Sequence, residues 1–265
     1  MKIHWVGGNL PTSGKAWLVR GLTESIYLEL GIQAVVVDTS IKAKLTTVYN
    51  PGLLATNSPW DYFTRAGVDS CLPDEIYELA LRYNTVIVKL ASYSQQLFLE
   101  WIDSSGILRE EIEHEFWFIS NGHRDSFEYF QAICQRPWQT HFVKNMYARY
   151  WQIKPSTGSM IFEDGDGNNY FDVRILPATI THPPEIEEIE SRGATLYHLA
   201  HPQNKSLPML TRIRIKRFLQ QSCQNLLTLT PPQPAIIQND LKLSFSAPEI
   251  DIWVEENSEA ETIPC

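Results

Sequence analysis

The sequence has few cysteines, and none is placed to share a metal ion with another. Its 265 residues include four, Cys71, Cys134, Cys223 and Cys265. No two of them form a Cys-x-x-Cys motif, so neither a zinc site nor a dithiol redox site is predicted. The acidic loop at 163–169 lacks the spacing of a calcium-binding EF-hand, so no other metal site is predicted either.

Long hydrophobic runs and an excess of positive charge are also missing. No apolar stretch approaches the roughly 18 residues that identify a transmembrane helix. Scattered single cysteines are typical of a reducing compartment, so the predicted location is cytoplasmic, without a membrane partner. The net charge is −9, from 22 lysines and arginines against 31 aspartates and glutamates. Because such a surface as a whole repels nucleic acid, any DNA contact has to come from a local basic patch.

The clearest pattern in the chain lies at its N-terminal end. Residues 1–6 form a short apolar run typical of a strand, and the loop after it ends in Gly14-Lys15. A helical pattern follows, with an apolar residue at every fourth position: Leu18, Leu22, Ile26 and Leu30. Gly31 stands where a helix C-cap glycine belongs, and residues 33–38 form a second strand pattern. This order predicts a P-loop βαβ unit.

The loop nevertheless departs from a working phosphate-binding loop. Gly14 and Lys15 are present, but Ala16 has no hydroxyl with which to bind Mg²⁺. Pro11 has no N–H to offer a phosphate, and the β-branched Thr12 resists the backbone conformations that glycine allows. A Gly-Lys pair before a helix also arises by chance. The flanking strand and helix favour a degenerate P-loop.

Strand and helix patterns alternate to about residue 150, which predicts a three-layer α/β fold, P-loop NTPase-like, with a mostly parallel central sheet. Further strands are predicted at 85–90, 116–120, 140–144 and 173–180. Helices are predicted at 73–82, 95–104, 125–135 and 208–227, with a short acidic helix opening at 182–184. The stretch 39–71 is predicted to be loop-rich.

Together these pieces resemble the ParA/MinD family of deviant Walker A ATPases, and more specifically its plasmid-encoded MobD/StbB-like branch. The resemblance runs from residue 1 to about 227. It rests on the order and spacing of six segments: Ile3–Gly8 leading to Gly14-Lys15, Val35–Asp38, Val86–Ala91 before the Trp101 helix, Asn121–Ser126, His141–Asn145 and Arg214–Leu219. It implies a nucleotide site at the first loop and basic residues near the C-terminal helices that contact DNA.

The chain departs from the family pattern at most of the nucleotide site. The family's signature lysine falls at Leu10 and its Mg²⁺-binding Ser/Thr at Ala16. The second strand leads to Ser40 where the family has a second aspartate, and the Walker B acid falls at Lys89. What is left of the site is predicted to be a nucleotide-binding remnant of four residues: Gly14, Lys15, Asp38 and Lys89.

These losses bear on both chemistry and charge. Phosphoryl transfer depends on Mg²⁺ for positioning and charge neutralisation, so we expect no Mg²⁺ binding, no ordinary ATPase activity and no catalytic residues. A buried Lys89 needs an anionic partner, and Asp38 at the neighbouring strand end is the predicted one. The alternative is that Lys89 extends to solvent. Weak binding of ATP or ADP also remains an alternative.

The function predicted first is a non-catalytic interaction scaffold in plasmid or mobile-element maintenance or mobilisation, with a protein partner or self-association into a dimer or larger assembly. A nucleotide-binding switch without turnover is the main alternative, and an ATPase with rearranged ligands is a third. A fourth is non-specific DNA association through a basic helix. Its candidates are Arg212, Arg214, Lys216 and Arg217, which form two ridges on that helix. A solvated helix face is the plain alternative.

Three segments are predicted: a degenerate P-loop NTPase-like domain at 1–227, a proline-rich linker at 228–238 and an acidic tail at 239–265. The tail carries two short period-2 patterns, with large apolar side chains that are unusual in a purely solvating segment. We expect one or both of them to dock on a sheet edge or groove of a second subunit or another partner, by strand addition. The partner-binding candidates are Leu243, Phe245, Ile252 and Trp253. A disordered tail is the alternative.

Overall fold

The computed structural model describes residues 1–8, 10–11, 13–40, 44–50, 62–109, 111–120, 126–147 and 172–227. All of them belong to one compact unit, Met1–Leu229. Several predictions lie outside the described residues: the loop at 163–169, residues 121–125 of the family resemblance, the linker, and the tail with Leu243, Phe245, Ile252 and Trp253. The predicted domain boundaries stay predictions.

Strands and helices alternate along the described chain. The strands are β1 Lys2–Gly7, β2 Val35–Asp38, β3 Thr85–Lys89, β4 Glu113–Ser120, β5 Gln139–Asn145 and β6 Asp172–Leu176. The helices are α1 Lys15–Leu30, α2 Lys44–Tyr49, α3 Arg65–Asp69, α4 Asp74–Tyr83, α5 Gln95–Ser105, α6 Ser126–Cys134, α7 Pro183–Ser191, α8 Leu196–Ala200 and α9 Met209–Leu226. None of these described helices has the length and hydropathy needed to cross a membrane.

The described strands form one six-stranded sheet in the order β2-β3-β1-β4-β5-β6. Every neighbouring pair is parallel. The chain leaves β1 towards β2 on one side and leaves β4 towards β5 on the other, so the winding direction reverses at the centre of the sheet. Open α/β sheets bind ligands at such a reversal, beyond the carboxyl ends of the strands. The predicted three-layer α/β fold with a parallel sheet is confirmed.

Two hydrophobic cores cover the two faces of the sheet. Successive strand residues point to opposite faces, so Val35 and Val37 enter one core and Val36 enters the other. The first core is closed by α4, α5 and α6 and is rich in aromatic rings. The second is closed by α1, α7, α8 and α9. Both strand faces are apolar because both are covered, as in most parallel sheets.

Helix α1 begins and ends at glycines in the left-handed conformation. Gly14 has φ of 99°, and Gly31 has φ of 67° and donates its N–H to the Tyr27 carbonyl. Three members of the predicted stripe are buried, namely Leu18, Leu22 and Ile26. The fourth, Leu30, is 57% exposed, so the prediction that it faces the core is wrong. Residues 27–33 are all exposed, which means that the last turn of α1 extends past the core.

Three short helices differ from the sequence prediction. The supposedly loop-rich stretch holds α2 and α3, and α8 was not predicted. Helix α8 begins at a long-range contact, because the Glu24 carboxylate accepts hydrogen bonds from the backbone N–H groups of Leu196 at 2.7 Å and Tyr197 at 2.5 Å. The predicted strand 173–180 ends earlier, at Leu176. Helix α8 also has a local N-cap, because Thr195 Oγ1 accepts from the His198 N–H at 3.2 Å, and this threonine was the sequence signal for it.

The outer edge of β2 is covered by side chains of α2 and the residue after it. Asn50 accepts from the Val36 N–H at 3.3 Å and donates to the Val36 carbonyl at 3.2 Å. Thr46 Oγ1 accepts from the Asp38 N–H at 2.8 Å. Backbone groups that an added strand would need are therefore occupied at this edge.

At the opposite, amino end of the sheet a buried carboxylate joins three strands. Glu115 accepts from Lys2 Nζ at 2.8 Å, and its other oxygen lies 2.9 Å from His4 Nδ1 and 3.7 Å from His141 Nε2. Burial would raise the pKa of Glu115, but hydrogen bonds from His141, His4 and Lys2 hold it below its ordinary value. This cluster fixes β1, β4 and β5 against one another.

Candidate functional site at the loop between β1 and α1

The loop between β1 and α1 is held tightly against the ends of β4 and β5. A Cβ on Gly8 would lie 2.4 Å from the Ile119 carbonyl oxygen, and one on Gly14 would lie 2.5 Å from Asn145 Nδ2. The Asn145 amide in turn donates to the Ser13 carbonyl at 2.8 Å. Two glycines are thus required here by close approach, and Gly14 also by its positive φ.

Lys15 folds back into its own loop. Its side-chain nitrogen lies 2.8 Å from the Gly8 carbonyl oxygen, 2.8 Å from the Leu10 carbonyl oxygen and 2.7 Å from Ser92 Oγ. A fourth contact, to Ser13 Oγ, is longer at 3.4 Å. Lys15 is only 4% exposed. Burial, helped by the nearby positive charge of Lys89, lowers the pKa of Lys15 to about 7.

These contacts place two carbonyl oxygens of the loop on the Lys15 side chain. A phosphate-binding loop turns backbone N–H groups inward. Here two carbonyl oxygens, those of Gly8 and Leu10, converge on the position that the Lys15 nitrogen occupies. In this conformation the loop binds a cationic or neutral amine, and an incoming phosphate would have to replace those contacts.

Asp38 and Lys89 form the contact that the sequence predicted. They are register partners at the ends of β2 and β3, and Lys89 Nζ lies 2.7 Å from Asp38 Oδ1. The side chains are 13% and 3% exposed for Lys89 and Asp38, so extension of the lysine to solvent is wrong. The same ammonium group donates to Ser40 Oγ at 2.9 Å.

The Asp38 carboxylate is otherwise used within the fold. Oδ1 accepts from the Ser40 N–H at 3.1 Å and the Ser40 hydroxyl at 2.6 Å. Oδ2 accepts from the Leu45 N–H at 3.4 Å. Across the described ranges, no group of three or more His, Cys, Asp or Glu side chains is arranged to hold a metal ion. Asp38 acts here as the anchor of Lys89 and of the segment leading to α2.

A cavity of about 600 Å³ opens beside both lysines. Lys15, Lys89, Ser40, Ser92 and Asn145 supply polar groups, but most of its wall is apolar. The apolar side chains include Trp17, Leu176, Ile180, Ile186 and Phe218. Trp17 and Phe218 meet edge to face, with ring centroids 5.4 Å apart. Its volume and lining are those of a small-molecule site.

The four basic candidates on α9 are divided by the structure into two pairs. Arg212 donates to the His201 and Pro202 carbonyls at 3.4 and 2.6 Å, and Arg214 pairs with Glu185 at 2.7 Å. Lys216 and Arg217 are exposed. The two predicted ridges are therefore not equivalent, because two of the four side chains have partners within the chain.

Sequence reasoning missed Ser92 and Trp17 as members of the site. Ser92 follows β3 by three residues, and Trp17 lies in the first turn of α1. Serine after a strand is too common to be a signal. The tryptophan could have been noticed, since a large ring beside the family's phosphate-binding loop has no role in binding phosphate.

The fold and the site together define an open α/β domain with a parallel six-stranded sheet and an internal lysine–aspartate pair at the ends of neighbouring strands. No protein-family model and no curated protein sequence matches the chain. Among solved structures it is similar to a chain of the MinC:MinD cell division protein complex of Aquifex aeolicus. The sequence identity is 10% and the TM-score 0.39, over 83% of this chain and 96% of that one.

Proposed function

We propose that the protein is a non-catalytic interaction scaffold on a ParA/MinD-like fold. One observation carries the proposal: the Lys89 ammonium group lies 2.7 Å from Asp38 and 2.9 Å from Ser40. The family resemblance assigns these three positions to acidic residues of the catalytic site. A built-in cation there satisfies Asp38 and would repel a divalent metal ion, on which phosphoryl transfer depends.

The folded-back Lys15 supports the same proposal. A P-loop lysine contributes by reaching the phosphates of a nucleotide, whereas this one bonds two carbonyls of its own loop. The energy that a nucleotide would supply by ordering the loop is supplied by contacts within the chain. A domain stabilised in this way is suited to presenting a fixed surface to a partner.

The biological setting rests on the resemblance to the MobD/StbB-like branch. On that basis the scaffold serves plasmid or mobile-element maintenance or mobilisation, through a protein partner or through self-association. Purification from the native host with the partner retained, followed by mass spectrometry, would test this setting. Partners unrelated to plasmid transfer or segregation would contradict it.

The test of the catalytic claim is a phosphate-release assay with Mg²⁺ and ATP. We expect wild type and a Lys15→Ala variant to release phosphate at the same background rate, because neither binds the metal. The variant is the matched control for contaminating ATPases, since it passes through the same purification. Release by wild type above the variant would contradict the proposal.

A second candidate, a nucleotide switch without turnover, is favoured by the cavity of about 600 Å³ beside Lys15. It predicts ATP or ADP in the purified protein and a calorimetric binding signal that Lys15→Ala removes. The scaffold proposal predicts neither. The nucleotide content of heat-denatured protein, measured by chromatography, separates the two candidates.

A further inference from the structure

Ser92 and Lys15 form a close pair in the wall of the cavity. The Ser92 hydroxyl oxygen lies 2.7 Å from the Lys15 side-chain nitrogen. Both residues line the cavity of about 600 Å³, so the pair faces the space that a ligand would enter. Ser92 is half-buried and Lys15 is buried. A serine hydroxyl next to a buried amine is one of the arrangements that proteins use to activate a nucleophile.

The three short hydrogen bonds of Lys15 can be made by the ammonium group, with three donations, and also by the neutral amine. A neutral –NH₂ group has two hydrogens to donate and one lone pair to offer. The two donations match the Gly8 and Leu10 carbonyls, each at 2.8 Å. The lone pair is then left for the Ser92 hydroxyl hydrogen. Burial and Lys89 lower the pKa of Lys15 to about 7, so a large fraction of the amine is neutral near physiological pH.

We propose that Ser92 and Lys15 form a nucleophile–base pair that accepts acyl groups from small apolar esters bound in this cavity. The apolar wall near the pair defines the substrate class. Trp17, Ile180, Ile186 and Phe218 offer contacts to an aliphatic or aromatic acyl group. The proposal goes beyond the scaffold function, in which non-catalytic refers to phosphoryl transfer, and does not depend on it.

The reaction balances with water as the second substrate. Ser92 Oγ attacks the ester carbonyl carbon while its proton passes to Lys15 Nζ. The resulting tetrahedral adduct expels the alcohol, which takes that proton from Lys15 and leaves an acyl group on Ser92. A water molecule then gives a proton to Lys15 and attacks the acyl carbon. The carboxylic acid leaves, and Ser92 regains its proton. The ester and water become an acid and an alcohol.

The first experiment maps the nucleophile in the full chain. A fluorophosphonate probe forms a stable adduct with activated serines, and peptide mass spectrometry locates it. We expect one adduct per chain, on Ser92, and none in Ser92→Ala. Ser104→Ala is the matched control, because Ser104 is an exposed serine on α5, and it should label as wild type does. An adduct on another residue, Lys15 included, would overturn the proposal, as would unchanged labelling of Ser92→Ala.

The second experiment tests the base with p-nitrophenyl butyrate. Lys15→Met should lower the rate of p-nitrophenolate release about 100-fold, the usual contribution of a general base. Circular dichroism checks that the variant is folded. Independently of any variant, the wild-type rate should rise with pH through about 7 and then level off, because only neutral Lys15 accepts the proton. A rate that does not change between pH 5.5 and 8.5, after subtraction of spontaneous hydrolysis, would show that Lys15 is not the base.

Discussion

Lys15 and Lys89 lie near each other at the carboxyl end of the sheet, but they have different electrostatic partners. Lys89 pairs with a carboxylate, whereas the described partners of Lys15 are carbonyl and hydroxyl oxygens. Dipoles compensate a buried charge less completely than a carboxylate does. The pKa of Lys15 is lowered to about 7, by burial first and by the charge of Lys89 second.

The lowered pKa of Lys15 predicts how the stability of the fold changes with pH. The ordinary pKa of lysine is 10.5 and that of folded Lys15 is about 7, so between these values the unfolded chain binds the extra proton. Stability of wild type relative to Lys15→Met should therefore rise with pH from about 7 to 10.5, by up to about 1.4 kcal/mol per pH unit. Urea unfolding at several pH values measures this slope.

The matched control for that slope is Lys205→Met, which removes an exposed lysine outside the site. The difference in stability between wild type and this variant should change much less with pH. A stability difference between wild type and Lys15→Met that stays constant from pH 7 to 10 would contradict the buried, largely neutral amine.

The Asp38–Lys89 pair predicts strong coupling between two substitutions. Lys89→Met leaves a buried carboxylate without its cation and should lower the free energy of unfolding by about 3 kcal/mol. Adding Asp38→Asn removes the charge and should recover much of that loss, so the two effects should not add. Urea unfolding of both single variants and the double variant gives the coupling energy. A loss below about 1 kcal/mol for Lys89→Met would mean that the lysine is effectively solvated.

At the scale of elements, the sequence predicted the helices and strands that show a pattern within a short stretch of residues. Helix α1 and strands β1 to β5 have apolar periodicity and punctuating glycines, and all were placed within a few residues. The Asp38–Lys89 pair followed from neighbouring parallel strands ending together. The Lys15–Ser92 contact did not follow, because it depends on how a non-repeating loop folds back. Helix α8 was missed although Thr195 caps it locally, because five residues are too few to show a helical period.

Helix α9 carries a prediction about DNA. Arg214, Lys216 and Arg217 are all exposed, and Arg214 also pairs with Glu185, so Lys216 and Arg217 are the pair tested first. Any DNA affinity should be independent of sequence and fall steeply as salt rises, because phosphate contacts release counterions. Lys216→Glu combined with Arg217→Glu should abolish it. Fluorescence anisotropy with a labelled duplex at several salt concentrations measures the effect.

A charge-matched control separates the effect of Lys216 and Arg217 from the effect of the net charge of the protein. Lys44→Glu combined with Arg82→Glu changes the net charge equally at two other exposed positions. It should weaken binding much less than the α9 variant does. Equal weakening by both pairs would mean that α9 is an ordinary solvated helix.

At the scale of the whole molecule, the two sheet edges offer unequal sites for another strand. The β2 edge is occupied by Asn50 and Thr46, which leaves β6 as the edge at which strand addition is expected. The tail at 239–265 remains the predicted donor, to a second copy of the chain or to another partner. Removing residues 235–265 should then lower the assembly mass measured by light scattering.

A second truncation sharpens that test. Removal of residues 246–265 keeps the pattern around Leu243 and Phe245, whereas the longer truncation deletes it together with the one around Ile252 and Trp253. If only the longer truncation lowers the mass, the first pattern is the donor. If neither changes the mass or the complex with the native partner, the tail has no role in assembly.

The internal pairing of Lys89 with Asp38 has a consequence for physiology. ParA-like switches of the kind implied by the resemblance would follow the ratio of ATP to ADP, since their conformation depends on which nucleotide they hold. If Lys89 fills that place as proposed, the chain would have no such input, and starvation should leave its conformation unchanged. Its activity in the cell would then be set by how much of it is made and by whether its partner is present. It would keep one conformation and would not cycle between two states as a nucleotide switch does.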